Sequence, residues 1–171
     1  NKVEGKLYLK AHLSGSGVEP KDVIKNLSGS GLLKLSGGKI AKLSSLSSIG
    51  EKIGLEALKH DLAVKELKAN LSIGKGILTS KNLSLVDTDV RLSFKGDINL
   101  DKLIYIPGNR LSLKLSPQLT KDLSKEYDVF RDKEGWAELE FELTGSLIKP
   151  IPIPRLEKGA EKALKKIEEK A

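Results

Sequence analysis

The chain has 171 residues, enough for one domain with a sizeable hydrophobic core. Charged residues make up 31% and no run of about 18 apolar residues occurs, which excludes a transmembrane helix within this stretch. The net charge of +7 comes from lysines scattered along the chain, whereas a nucleic-acid binder shows a clustered basic stripe or stacking aromatics, so no nucleic-acid partner is expected.

Residues 3–14 alternate apolar and polar, with Leu7, Leu9, Ala11 and Leu13 on one face, which predicts a strand. Val18 to Leu27 reads as a short helix with Pro20 at its start, where the missing N–H costs little. Gly29 to Leu35 returns to strand, and 39–43 is ambiguous. From Ser44 the period changes. Leu46, Ile49, Ile53 and Ala57 lie three or four apart, which predicts a helix over about 44–59. Ser44 or Ser45 is the expected cap, and Gly54 a point of weakness.

The stretch from Glu66 to Leu100 is the most regular. Leu67, Ala69, Leu71 and Ile73 share one face, as do Leu83 and Leu85, and Val90, Leu92, Phe94, Ile98 and Leu100. A period of two means strands with one apolar and one wet face. Turn residues at 74–76 and 87–89 separate them, so the expectation is an antiparallel meander. Leu103 to Leu115 follows as a strand pair or one bent strand around a turn at 107–109, with Leu111, Leu113 and Leu115 in phase. Residues 117–125 suggest a short helix and 131–135 a polar turn. Trp136 to Leu147 is a clear strand, with Ala137, Leu139, Phe141 and Leu143 inward and Glu138, Glu140 and Glu142 outward. Residues 150–154 (PIPIP) must run extended. The chain closes on a charged helix over 155–171, with Leu156, Ala160, Ala163, Leu164 and Ile167 as its apolar stripe. The whole reads as α+β, dominated by a broad, curved antiparallel sheet.

The sequence offers no catalytic constellation, and no enzyme activity, cofactor or metal is expected. Cysteine is absent, which removes disulfide and thiol chemistry. His12 and His60 stand apart, without the converging ligands a metal site requires. The 138/140/142 carboxylates read as the solvated face of a strand, paired across to lysines. The glycine-rich stretches at 14–17, 28–31 and 36–38 lack the features of a phosphate loop and read as turns and strand ends. Methionine is missing even at position 1, from which we expect a fragment or processed product whose anchor and export signal lie elsewhere.

What remains is binding through the apolar face. Helices of about 16 residues span about 24 Å at 1.5 Å per residue, so two of them cover a broad sheet incompletely. An uncovered part would hold a lipid tail, since burying acyl chain contributes about 0.8 kcal/mol per CH₂.

Four segments, LKANLSIG at 67–74, KNLSL at 81–85, GDINL at 96–100 and LTGSLIKP at 143–150, appear in an order that resembles the C-terminal region of the AsmA family. These are bacterial envelope proteins related to the bridge-like lipid transporters. The strand at 29–40 leading into a helix fits more loosely, and IPIP at 151–154 departs from the acidic step usual after the proline. The resemblance implies one AsmA-like domain over 1–171: a curved, open, taco-like antiparallel sheet, a half barrel with one internal helix and a C-terminal helix. It implies a periplasmic segment of an inner-membrane-anchored protein, without catalysis. Its job would be phospholipid transfer between the inner and outer membranes and outer-envelope homeostasis, with phospholipid acyl chains, and further envelope proteins, as partners. Alternation nominates the lining: Leu67, Leu71, Leu83, Leu85, Leu92, Phe94, Leu111, Leu113, Leu139 and Phe141. Gly96 and Gly145 read as places where the sheet bends or packs closely. The alternative is a structural β-domain with a closed core that joins neighbouring domains through its sheet edges.

Overall fold

A computed structural model describes residues 3–123 and 125–155. Nine strands form one open, curved antiparallel sheet: β1 (Val3–Ser14), β2 (Ser28–Ile40), β3 (Leu62–Gly74), β4 (Ile77–Val86), β5 (Val90–Asn99), β6 (Ile104–Tyr105), β7 (Arg110–Leu115), β8 (Ala137–Gly145) and β9 (Pro150–Arg155). They lie in the order β1-β2-β3-β4-β5-β7-β8-β9, and β6 pairs with the far end of β5. Both β6 and β7 border β5, so the Leu103–Leu115 stretch is one interrupted strand bent at its turn. Two α-helices accompany the sheet among the described residues, α1 (Pro20–Asn26) and α2 (Ser44–Ile53). The architecture is α+β with strands dominant, as the alternation implies. The C-terminal helix expected over 155–171 lies, apart from Arg155 at the end of β9, outside the described residues.

The register keeps every strand in phase. Leu7, Leu35, Leu67, Leu85, Leu92, Leu113 and Leu139 form one cross-sheet row, each directly opposite the next. Directly opposed residues share a face, so the apolar sides of all these strands merge into one surface. Two-residue geometry joins β3 to β4: Gly74 pairs with Ile77, and Lys75 and Gly76 both have positive φ (53° and 74°). This primed turn matches the strand twist and favours glycine at its second position.

Three helical expectations are corrected. The α-helix ends at Gly54, left-handed at φ 74°, and its capping N–H bonds the Gly50 carbonyl. A separate 3-10 turn, Glu56–Lys59, follows, and Leu58 rather than Ala57 enters the core. Neither Ser44 nor Ser45 caps α2. The N-cap is Leu43, and the Ser44 hydroxyl donates instead to the Leu147 carbonyl at 3.0 Å. Over 117–123, the described part of the stretch expected to be helical, the chain forms turns and no helix. Leu119 N–H turns back to the Ser116 hydroxyl and Thr120 N–H to the Ser116 carbonyl, and the Arg131 guanidinium takes both the Thr120 hydroxyl (2.7 Å) and its carbonyl (2.9 Å). Those side-chain bonds offer the backbone an alternative to continuing a helix. A 3-10 helix at Lys125–Phe130 comes after.

Pro150, Pro152 and Pro154 sit in β9, the edge strand, where a missing N–H is tolerated. Gly96 supplies a close approach: at φ 158°, a Cβ there would lie 2.3 Å from the Cβ of Asn109. Asn109 is 1% exposed. Its amide nitrogen donates to the carbonyls of Ile106 (2.8 Å) and Leu143 (2.7 Å), and its oxygen accepts from Leu143 N–H (2.8 Å). The side chain thus continues the β7–β8 ladder beyond the end of β7.

Replacing Asn109 by alanine leaves the buried Leu143 N–H and C=O without partners. Each such group costs about 1–3 kcal/mol, so Asn109→Ala should lower unfolding stability by about 2–4 kcal/mol, read as a lower urea midpoint with an unchanged slope.

Candidate functional site

The merged apolar face is covered at one end and open at the other. Over the Leu35–Ile40 end of β2, the Val64 end of β3 and on to β8 it lies beneath α2 and the turns that follow. Leu46, Ile49, Leu55 and Leu58 join Val90, Leu92, Phe94, Leu111, Leu113, Leu115, Leu139, Phe141 and Leu143 in one buried cluster. Ser44 reaches the Leu147 carbonyl, and Lys52 donates to that of Pro152 at 3.0 Å, so α2 is tied alongside β9. Leu119, Leu123, Tyr127 and Phe130 close the far margin. Phe94 and Tyr105 meet edge to face at 6.1 Å, and burial raises the Tyr105 hydroxyl pKa above its ordinary value.

At β1 and the adjoining ends of β2, β3 and β4 nothing among the described residues covers the face. Leu7, Leu9 and Leu13 are 63%, 63% and 59% exposed. Glycine in β2 shapes this end. The row Ala11–Gly31–Leu71 and the row Leu13–Gly29–Ile73 each place a glycine between larger neighbours. The missing side chains lower the floor along β2, while Leu9 and Leu13 on one side and Leu71, Ile73 and Leu78 on the other form the walls. Leu27, between α1 and β2, closes one end. The result is a groove of about 210 Å³ with almost no polar atom in its lining. A second, mixed hollow of about 220 Å³ lies at the opposite side of the molecule, between Ile53, Tyr127, Phe130, Phe141 and Pro154, with Lys52, Glu140 and Arg155 also in its lining.

The structure distributes the ten nominated lining residues unevenly. Leu85, Leu92, Phe94, Leu111, Leu113, Leu139 and Phe141 are buried against protein, with Leu67 and Leu83 packed partly buried beside them. Leu139 and Phe141 also border the second hollow. Only Leu71 belongs to the open groove. The other groove residues Leu9, Ala11, Leu13 and Ile73 sit on the same face by alternation, and Leu78 joins them because β4 slips phase between Ser80 and Leu83. Their exposure depends on where α2 lies, which alternation does not encode.

Among the described residues no charged side chain lines the groove. His12 is on the opposite, polar face of β1, and His60 is exposed 3.8 Å from Glu56. Among the described residues no group of three metal-ligating side chains converges. Glu138 lies opposite Lys114, 4.0 Å away. The Glu142 carboxyl is held below its ordinary 4.5 by the Gly108 N–H (3.1 Å) and by Arg155 (2.6 Å). Asp61 is lowered by the Lys42 N–H and Lys39, and Glu56 by Lys59. No helix among the described residues is long and apolar enough to cross a membrane. No family model, curated protein or solved structure matches this chain.

Two predictions follow the division between core and groove and the placement of Glu142. Leu113→Ala, in the closed part, should cost about 2–5 kcal/mol. Leu9→Ala, in the open part, should stay within about 0.5 kcal/mol. Parallel urea melts check the contrast. For Glu142 the folded pKa lies below the unfolded one, so its contribution is present above about pH 4.5 and lost as pH falls through the folded value. Glu142→Gln should therefore show a shallower loss of stability on acidification than the parent. Glu56 and Asp61, also lowered, keep part of that slope in both proteins.

Proposed function

We propose that this chain is a non-catalytic, lipid-contacting segment of a periplasmic AsmA-like envelope protein. Its part is to hold phospholipid acyl chains during transfer between the inner and outer membranes, in the service of outer-envelope homeostasis. The inner-membrane anchor belongs to the parent protein. The observation that carries the reading is the apolar groove over β1–β4, uncovered among the described residues, in which Leu9 and Leu13 stand exposed among apolar neighbours. Contiguous exposed apolar surface marks ligand or membrane contact sites. A stretch of about six methylenes laid in the groove would contribute about 5 kcal/mol before the cost of ordering is subtracted. The order of the four AsmA-like segments supports the envelope setting, since two of them, at 67–74 and 81–85, belong to the strands that form the groove's far wall.

A second reading is favoured by one observation. The outer edge of β1, a strand of 12 residues, has no partner among the described residues. Unpaired edges of that length are templates for another strand, which suits a structural β-domain that joins a neighbouring domain or protein.

Native mass spectrometry after incubation with phospholipid, together with titration of a fluorescent acyl lipid, separates the two. The lipid reading expects stoichiometric lipid and at least a tenfold loss of affinity in Leu9→Glu and Leu13→Glu, with urea midpoints close to the parent's. A parent protein that refuses both lipids would leave the structural reading in place.

A further inference from the structure

We propose that the polar face of the sheet carries a binding site for a phosphate-monoester group, built around a bulged lysine in β4. The register shows the bulge. Asn82 pairs with Asn70 but Ser80 with Leu71 on one side, while Leu83 pairs with Phe94 but Ser80 with Gly96 on the other. One residue of β4 is thus extra against both neighbours. A bulge in mid-sheet disrupts the ladder locally and re-aims a side chain. Here Lys81 comes to line a hollow of about 560 Å³ with Lys95, Arg110 and Arg155.

The charges of this hollow are arranged against folding. Lys95 and Arg110 are directly opposite each other across β5 and β7, and like charges so placed are destabilising. Among the described residues no carboxylate comes within ion-pair distance of Lys81, Lys95 or Arg110. Arg155 is fixed in place by Glu142, whose other oxygen is held by Gly108 N–H. Its Nε is buried without a hydrogen-bond partner among the described residues. Asp97 is the one carboxylate among the described lining residues. Arg155 is already paired with Glu142, so among the described lining residues Lys81, Lys95 and Arg110 set against Asp97 leave a surplus of two positive charges, which complements a phosphate monoester of about −1.5 to −2 at pH 7. Two guanidiniums and two ammoniums around one hollow supply the forked and point-charge donors that such oxygens accept. The site lies on the face opposite the apolar groove and does not depend on acyl binding there.

The shared chemistry has a free and a lipid-borne source, and the test takes both. Calorimetric titration of the full chain with glycerol 3-phosphate, and co-sedimentation with phosphatidylcholine vesicles with and without phosphatidic acid, are run at about 0.15 M salt, where the Debye length is about 8 Å. Saturable binding in either arm, weakened at least tenfold in Lys95→Gln/Arg110→Gln and unchanged in Lys6→Gln/Lys34→Gln, supports the site, and the arm that binds names the source. The first double variant should also keep or raise the urea midpoint, because it removes an opposed like-charge pair. Leu9→Glu should leave glycerol 3-phosphate binding untouched. No saturable binding in either arm, or equal losses in the two double variants, would overturn the proposal and leave only a diffusely basic surface.

Discussion

An antiparallel sheet whose strands all keep the same phase gathers its apolar side chains on one face, and that face must meet something other than water. In this protein the register holds that phase from β1 to β9. The cover available among the described residues is a ten-residue helix, two 3-10 turns and the loops beside them. At 1.5 Å per residue α2 is about 15 Å long, while neighbouring strands are about 4.8 Å apart. It therefore covers only a few strands. Its ties to Leu147 and Pro152 place it beside β9, and the deficit falls at β1. The closed core and the open groove are two outcomes of one shortage of covering surface.

The polar face follows a different rule. Basic side chains dominate it from β1 to β7, with Lys6, Lys10, Lys34, Lys68, Arg91, Lys95, Arg110 and Lys114 at outward positions, while Glu138, Glu140 and Glu142 gather on β8. Where the two fields meet, the charges pair: Lys114 with Glu138, and Arg155 with Glu142. Arg91 lies 4.5 Å over the Trp136 ring, a cation–π contact that places the indole against a charged strand. Away from that seam, at the bulge, Lys81, Lys95 and Arg110 have no such partners among the described residues. Lys81 is displaced because β4 holds one residue too many for both neighbours, and Gly96 stands opposite Ser80, where Asn109 crowds against the backbone. The irregular backbone and the unpaired charge occur at the same place.

The strands were legible because alternation is a local signal. Within the regular stretches the inward set is spaced by two, with phase slips at 64–67 in β3 and 80–83 in β4, and the turns at 74–76 and 87–89 carry the residues such turns require. The groove was not legible. Leu9 and Leu113 occupy equivalent positions in equally regular strands, yet one is open and the other fully buried. What distinguishes them is the location of α2 about a hundred residues away in sequence from β9, a tertiary fact with no local trace. Ser44 shows the same limit at smaller scale. A serine at a helix start is expected to cap it, but the Leu147 carbonyl offers a partner from the other end of the chain. The bulge at Lys81 was hidden for a related reason: KNL reads as ordinary strand sequence, and an extra residue is visible only against the strands on either side.

The two edges of the sheet are built differently, and this bears on how the open groove ends. In β9 only Ile151, Ile153 and Arg155 carry the N–H groups a ladder with β8 needs, opposite Thr144, Glu142 and Glu140. The prolines must then occupy the alternate positions, whose backbone points away from β8. That outward side lacks N–H donors at Pro150, Pro152 and Pro154, a device that blocks further pairing. β1 carries no proline over its 12 residues, and it is guarded only by lysines on its polar face. A strand added at β1 with matching alternation would extend the polar ladder and lengthen the apolar groove together, because Leu7, Leu9, Ala11 and Leu13 already form its margin. The lipid and structural readings thus converge on β1: its apolar face lines the groove, and its edge, unpaired among the described residues, decides whether the groove stops there.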